Sequence, residues 1–335
     1  MIEVVFTLDY EIYGNGEGSL GELVYEPTRK LKDIFDQTGA KMVVFVEAAE
    51  MEKIEESGTD PAIHEVRNQI RSLERDGYEI ALHIHPQWYN ARREDGQWVL
   101  DYGEYNMCVL PRERIIQIVD RAIKYLGDVQ DAPGFVPLSF RAGNWLFQPA
   151  LPAAGVLVQR GVKVDSSVFK GGFQRRQGLD YRRALRNGYC WRFGNDVNVE
   201  HSDGTLLELP IYTQMVPFWK MATGKRIGLQ QKGGGGAKPG NERLSRLSDF
   251  LRFKYPLKFD FCRMTLEELI RMLNTVIEKD REDPSSFKPL VAIGHTKDLV
   301  DTGTVESFLS YLREKKMPVS TFREVYEKCV NRLGS

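Results

Sequence analysis

A chain of 335 residues can fold as one large elaborated domain or as two ordinary ones. Its 46 Lys and Arg against 47 Asp and Glu leave a net charge of −1, which argues against nucleic acid or acidic lipid as a partner. No run approaches the roughly 20 apolar residues that span a bilayer, and no basic and apolar leader precedes the first strand-like run, so a cytoplasmic protein without a membrane span is expected.

In chain order, strand-like and helix-like runs alternate. Residues 2–8 are strand-like, 27–38 are amphipathic and stop at Gly39, and 41–46 are apolar and β-branched. Residues 62–75 read as a helix that ends at Gly77, and 78–83 as the next strand. Pro111 opens a helix whose Ile115, Val119, Ala122 and Leu126 follow the 3.6-residue period. Short strands at 138–141 and 163–166 flank a helix near 149–160. Thr265 and Glu268 form a capping-box signature before a helix, 290–295 is a late buried strand, and Thr321 and Glu324 repeat the box before a last helix. This order predicts a parallel sheet, open or closed into a barrel. Two stretches break it. Residues 186–213 read as an antiparallel β insertion, and 224–243, which contain four consecutive glycines at 233–236, as a flexible loop. The four cysteines, Cys108, Cys190, Cys262 and Cys329, show no CxxC pair and read as reduced thiols. Nothing in the sequence speaks to oligomeric state.

Active groups in parallel βα folds collect where strands end. The first strand ends in Asp9 and Glu11, the 78–83 strand in His83 and His85, and the 138–141 strand in Arg141; the 163–166 strand carries Asp165, and the late strand ends in His295, followed by Asp298. Each i, i+2 pair points to one side of an extended backbone, so two carboxylates can meet two imidazoles. That donor set suits a divalent metal with an open coordination position. Three of the five histidines fall at strand ends, while His64 and His201 read as surface residues.

In this order, the segments Thr7 to Glu11, His83 with His85, Arg141 to Trp145, Val164 to Ser166 and Ile293 to His295 resemble the five motifs of the polysaccharide deacetylases of carbohydrate esterase family 4, the nodulation-deacetylase homology domain. The resemblance spans about residues 1–325 and is that of a divergent branch. Tyr10 stands where the family usually has its metal-binding carboxylate, the histidines are two residues apart rather than a helical turn apart, and Gly143 replaces a proline.

The resemblance implies a distorted (β/α)7-type barrel over a single domain, 1–335. It also implies a metal-dependent hydrolase that removes an N-acetyl group from an amino sugar or saccharide in polysaccharide or cell-envelope assembly, a nucleotide sugar included. Glu11, His83 and His85 would hold a divalent metal, expected to be zinc. Asp9 would be the base, Arg141 its partner, His295 the acid, and Asp165 the group that holds His295 protonated. Asp9 and Glu11 can also exchange the base and ligand roles. Tyr10, Trp88 and Trp145 are candidate sugar contacts. Two alternatives are weighed: another metal-dependent amidohydrolase, whose His-x-His pair would sit on the first strand, and a carbohydrate-binding homologue whose site has decayed, with Tyr10 filling it.

Overall fold

The computed structural model describes residues 1–217 and 254–333. Strands β1 (Ile2–Tyr10), β2 (Val43–Glu47) and β3 (Glu79–Ile84) alternate with helices α1 (Glu26–Thr38), α2 (Ala48–Ser57) and α3 (Ile63–Arg75). A hairpin of β4 (Arg92–Glu94) and β5 (Gln97–Val99) precedes α4 (Arg112–Val129), β6 (Ser139–Ala142), α5 (Ala153–Gln159) and β7 (Val164–Asp165). Short strands β8 (Phe173–Gln174) and β9 (Leu179–Asp180) pair with each other; β10 (Trp191–Phe193), β11 (Leu206–Glu208), β12 (Thr213–Val216) and β13 (Tyr255–Lys258) follow. The chain continues through α6 (Leu266–Glu282), β14 (Lys288–His295), α7 (Thr302–Glu314) and α8 (Phe322–Leu333).

Eight strands form one sheet in the order β10-β11-β7-β6-β3-β2-β1-β14. All its pairings are parallel except that of β10 with β11. The sheet curls: Leu207 of β11 and Val291 of β14, near its two ends, share one apolar cluster with Val5, Val43, Ala81 and Val164. Backbone bridges from Ile211 to Val291 and from Asp260 to Ile293 bring further chain against β14, giving the expected distorted barrel. Phe322 and Val325 of α8 fill its interior. The other face of the sheet packs the larger core against the surrounding helices.

Local chemistry sets the boundaries. Gly39 ends α1 with φ at 70°, a left-handed cap that a side chain would strain. Thr265 and Glu268 make both halves of the expected box on α6, at 3.3 and 3.0 Å. Helix α2 was not foreseen, because it starts on the last residue of β2 with no turn residue between; the Glu47 side chain caps it by accepting from the Glu50 N–H. Within 186–213, β10 and β11 pair antiparallel as expected, and β11 also pairs parallel with β7, so the stretch joins the edge of the main sheet. The expected loop at 224–243 lies outside the described residues. Among the described residues, no helix is long and apolar enough to cross a membrane.

Candidate metal and catalytic site

Sheet register sets the positions of the site residues. Asp9 lies beside His295, and His83 lies between Glu47 and Arg141. Because strand side chains alternate, Asp9 and Glu11 face the inside of the curl while Tyr10 faces the helices. Tyr10 is fully buried in the outer core, and its hydroxyl donates to Gln69 Oε1 of α3 at 2.7 Å. It is therefore no sugar contact and does not fill the site.

Asp9 is held by Arg141, which is completely buried. Arg141 Nη1 donates to Asp9 Oδ1 at 2.5 Å, Nη2 to Thr7 Oγ1 at 2.9 Å, and Nε to the Ser166 carbonyl at 2.9 Å. The guanidinium also stacks 4.1 Å from the Phe45 ring centre. Burial pushes the Asp9 carboxyl up, but Arg141, then His295 and His83, outweigh it and hold the group below the usual carboxylate range. His295 Nε2 lies 3.4 Å from the other Asp9 oxygen, and its Nδ1 lies 3.5 Å from Asp298 Oδ2. Burial lowers the His295 pKa, and Asp9 and Asp298 act against that. Asp298 is itself fixed by Arg263, through Nε at 2.8 Å and Nη2 at 2.7 Å.

The second pole is Glu11 with His83 and His85, one ligand atom from each lying within 4.8 Å of the others. Glu11 Oε2 is 3.0 Å from His85 Nε2 and 3.5 Å from His83 Nε2, while its Oε1 accepts from Lys297 Nζ at 2.8 Å. Burial raises the Glu11 pKa, but Lys297 and His85 carry it well below the usual value. His83 Nδ1 is 2.8 Å from the Arg141 carbonyl. A carbonyl only accepts, so Nδ1 carries the hydrogen and Nε2 faces Glu11; burial opposes a charged ring, but Glu11 and Asp9 outweigh it and raise the His83 pKa. His85 Nδ1 faces two side-chain amide nitrogens, that of Gln87 at 3.1 Å and that of Asn144 at 3.3 Å, which hold the ring with Nε2 toward Glu11.

Gly143 stands against this pole for a steric reason. A Cβ there would lie 2.7 Å from the Ile84 carbonyl and 2.8 Å from the His85 ring. The next two residues, Asn144 and Trp145, both have positive φ, 55° and 59°, a strained pair that aims the Trp145 ring to within 5.9 Å of His295. Trp145 therefore lines the site. Trp88 instead lies buried in the outer core, edge-on to Trp98, with no open face for a sugar.

Asp165 does not reach His295. It pairs in register with Phe140, an outer-core residue, one position away from the inward-facing Val164. There it accepts from Ser167 Oγ at 2.7 Å and faces Glu208 of β11. Asp298 stands where Asp165 was expected. Lys297, Asp260, Arg263 and Lys258 also surround the site and were missed; the only local signal was polarity directly after the β14 strand end.

No protein-family model matches the chain, and no curated protein does. Among solved structures, a candidate polysaccharide deacetylase from Mycobacterium smegmatis matches with a TM-score of 0.54 at 16% identity, over 98% of this chain and 89% of that one. A candidate polysaccharide deacetylase from Pseudomonas aeruginosa PAO1 matches with a TM-score of 0.50 at 13% identity, over 97% and 89%. What this chain shares with them is the fold.

Proposed function

We propose that this chain, acting as one unit, is a metal-dependent hydrolase that removes the N-acetyl group from an amino sugar or saccharide, free or carried on a nucleotide, with zinc as its metal. The observation that carries this reading is the buried cluster of Glu11, His83 and His85, in which one ligand atom from each lies within 4.8 Å of the others and His83 Nε2 faces Glu11 Oε2 at 3.5 Å. Two imidazoles and one carboxylate are a donor set that zinc accepts. When bound, such a metal supplies Lewis acidity toward a carbonyl oxygen and toward water.

The chain's own residues supply the rest. Asp9, kept ionised by Arg141, takes the proton of the attacking water. His295 gives a proton to the leaving amine, with Asp298 behind its Nδ1 favouring the charged form. The products are acetate and a free amino sugar. Three observations support this reading over its rivals: Tyr10 turns away from the site, the histidine pair ends the third strand rather than the first, and the fold is that of the candidate deacetylases. Elemental analysis of purified His83→Ala and His85→Ala is expected to show loss of bound metal; full occupancy in both refutes the site. His295→Ala is expected to keep its metal and lose acetate release from a panel of acetamido sugars with Zn²⁺ added, and unchanged turnover removes His295 from the acid role.

A further inference from the structure

Most charged groups around the site are in ion pairs. Asp9 pairs with Arg141, Glu11 with Lys297, and Asp298 with Arg263, which also lies 4.0 Å from Asp260. Lys258, at the end of β13, makes no such contact among the described residues. Its side chain shares a strand face with Asp260, whose backbone bridges β14 two residues before His295. Its ammonium lies 3.1 Å from the Trp145 ring centre and 5.0 Å from that of Phe169, and among the described residues it has neither a hydrogen-bond acceptor nor an ion-pair partner. Trp145 in turn lies 5.9 Å from His295, so the ammonium sits one ring away from the proposed acid.

An ammonium carries three donors, and those of Lys258 are free to meet a ligand at the rim of the site. The cation–π contact with Trp145 positions the ammonium without using those donors. The nearby charges do not neutralise it: Asp260 and Asp9 draw on it, while Arg263 and Arg141 repel it. A divalent ion at Glu11, His83 and His85 would add positive charge to the site. Burial pulls the Lys258 pKa down to about 7, with Asp260 pulling the other way, and an anion beside it would hold it protonated.

We infer that Lys258 is a specificity-determining residue that binds an anionic substituent, a carboxylate or a phosphate, on the acylated amino sugar. This rests on the deacetylase reading and narrows its substrate class. Trp145 serves as the platform: its strained backbone fixes the ring, the ring fixes the ammonium, and the three donors point at what the substrate brings.

The test uses metal-loaded protein and three probes: N-acetylglucosamine, its 6-phosphate, and its 6-carboxylate, N-acetylglucosaminuronic acid. Calorimetry reads affinity and acetate release reads turnover, for the unmodified chain, Lys258→Met and Lys258→Arg. At least one anionic probe is expected to bind tenfold or more tightly than the neutral sugar. Lys258→Met should bring that ratio close to one, and Lys258→Arg should keep most of it. A preference for one anion over the other supports the proposal and identifies the group. Equal affinities in the unmodified chain, no binding of any probe, or a preference that survives Lys258→Met overturns it. Anion preference without turnover keeps the role of Lys258 and removes the deacetylase reading, whereas turnover without preference does the reverse.

Discussion

Two pairs of acidic residues lie buried on opposite faces of the same sheet, and they are chemically opposite. On the inner face, Asp9 and Glu11 each have a cation in contact, the buried Arg141 and the part-buried Lys297, and both are held below the ordinary carboxylate range against the pull of burial. On the outer face, Asp165 and Glu208 face each other with no ion pair among the described residues. Burial pushes both upward, and at Glu208 the Asp165 charge adds to it. Burial is common to both pairs. The contacting cation separates them: it favours the charged form of the inner carboxyls, and the outer ones, without it, are shifted toward the protonated form.

The strongest way to break this contrast is to remove the inner cation. Arg141→Met leaves Asp9 buried and unpaired, which costs about 3–5 kcal/mol of stability, and kcat/KM should fall roughly 10³-fold or more as the base is lost. The sign with pH is fixed. A depressed Asp9 pKa stabilises the fold above the unfolded value near about 3.9 and ceases to do so as pH falls through the folded value. The stability gap between the two proteins should therefore narrow toward low pH in melting experiments. A gap that stays constant down to pH 2 would show that Asp9 is not the group involved.

A second test exchanges the roles assigned to two aspartates. Asp298→Asn is expected to lower kcat/KM by roughly 10- to 100-fold. It should also move the alkaline limb of the pH profile to lower pH, because His295 loses an anion that raises its pKa. Asp165→Asn should leave kcat/KM within about threefold, since its partners are Ser167 and Glu208 on the far face. The reverse ranking would restore Asp165 as the partner of His295.

That exchange also marks how far the sequence could be read. The parallel barrel was legible because apolar strand runs alternate with capped amphipathic helices, and Asp9, His83, Arg141 and His295 were legible because each ends such a run. Asp165 was misplaced by one residue of strand parity: Val164 points inward, so its neighbour cannot. Tyr10 went wrong by the same alternation. Lys297 and Asp298 lie in the turn after β14, where side-chain direction has no sequence period, and Lys258, Asp260 and Arg263 reach the site from a segment that only tertiary bridging brings to β14.

The smallest expected effect sharpens the comparison by varying burial instead of partner. Asp36, at the end of α1, is clamped as firmly as Asp9: Lys32 donates to it at 2.5 Å, Lys41 at 2.8 Å and the Tyr78 hydroxyl at 2.9 Å. Its carboxyl is held down at about 2; burial opposes this, and the two lysines and Tyr78 prevail. Taken at face value that depression would be worth more than 2 kcal/mol, but the side chain is 36% exposed and water screens the pairs, so Asp36→Asn should cost only about 1 kcal/mol at neutral pH. The contribution is present above pH ~4 and lost as pH falls through ~2, so the variant and the unmodified chain should converge only below about pH 2. Added salt should shrink the neutral-pH difference for Asp36→Asn and leave that for Arg141→Met nearly unchanged, because screening reaches the exposed clamp and not the buried one. Equal salt sensitivity in the two variants would mean that burial is not what separates these carboxylates.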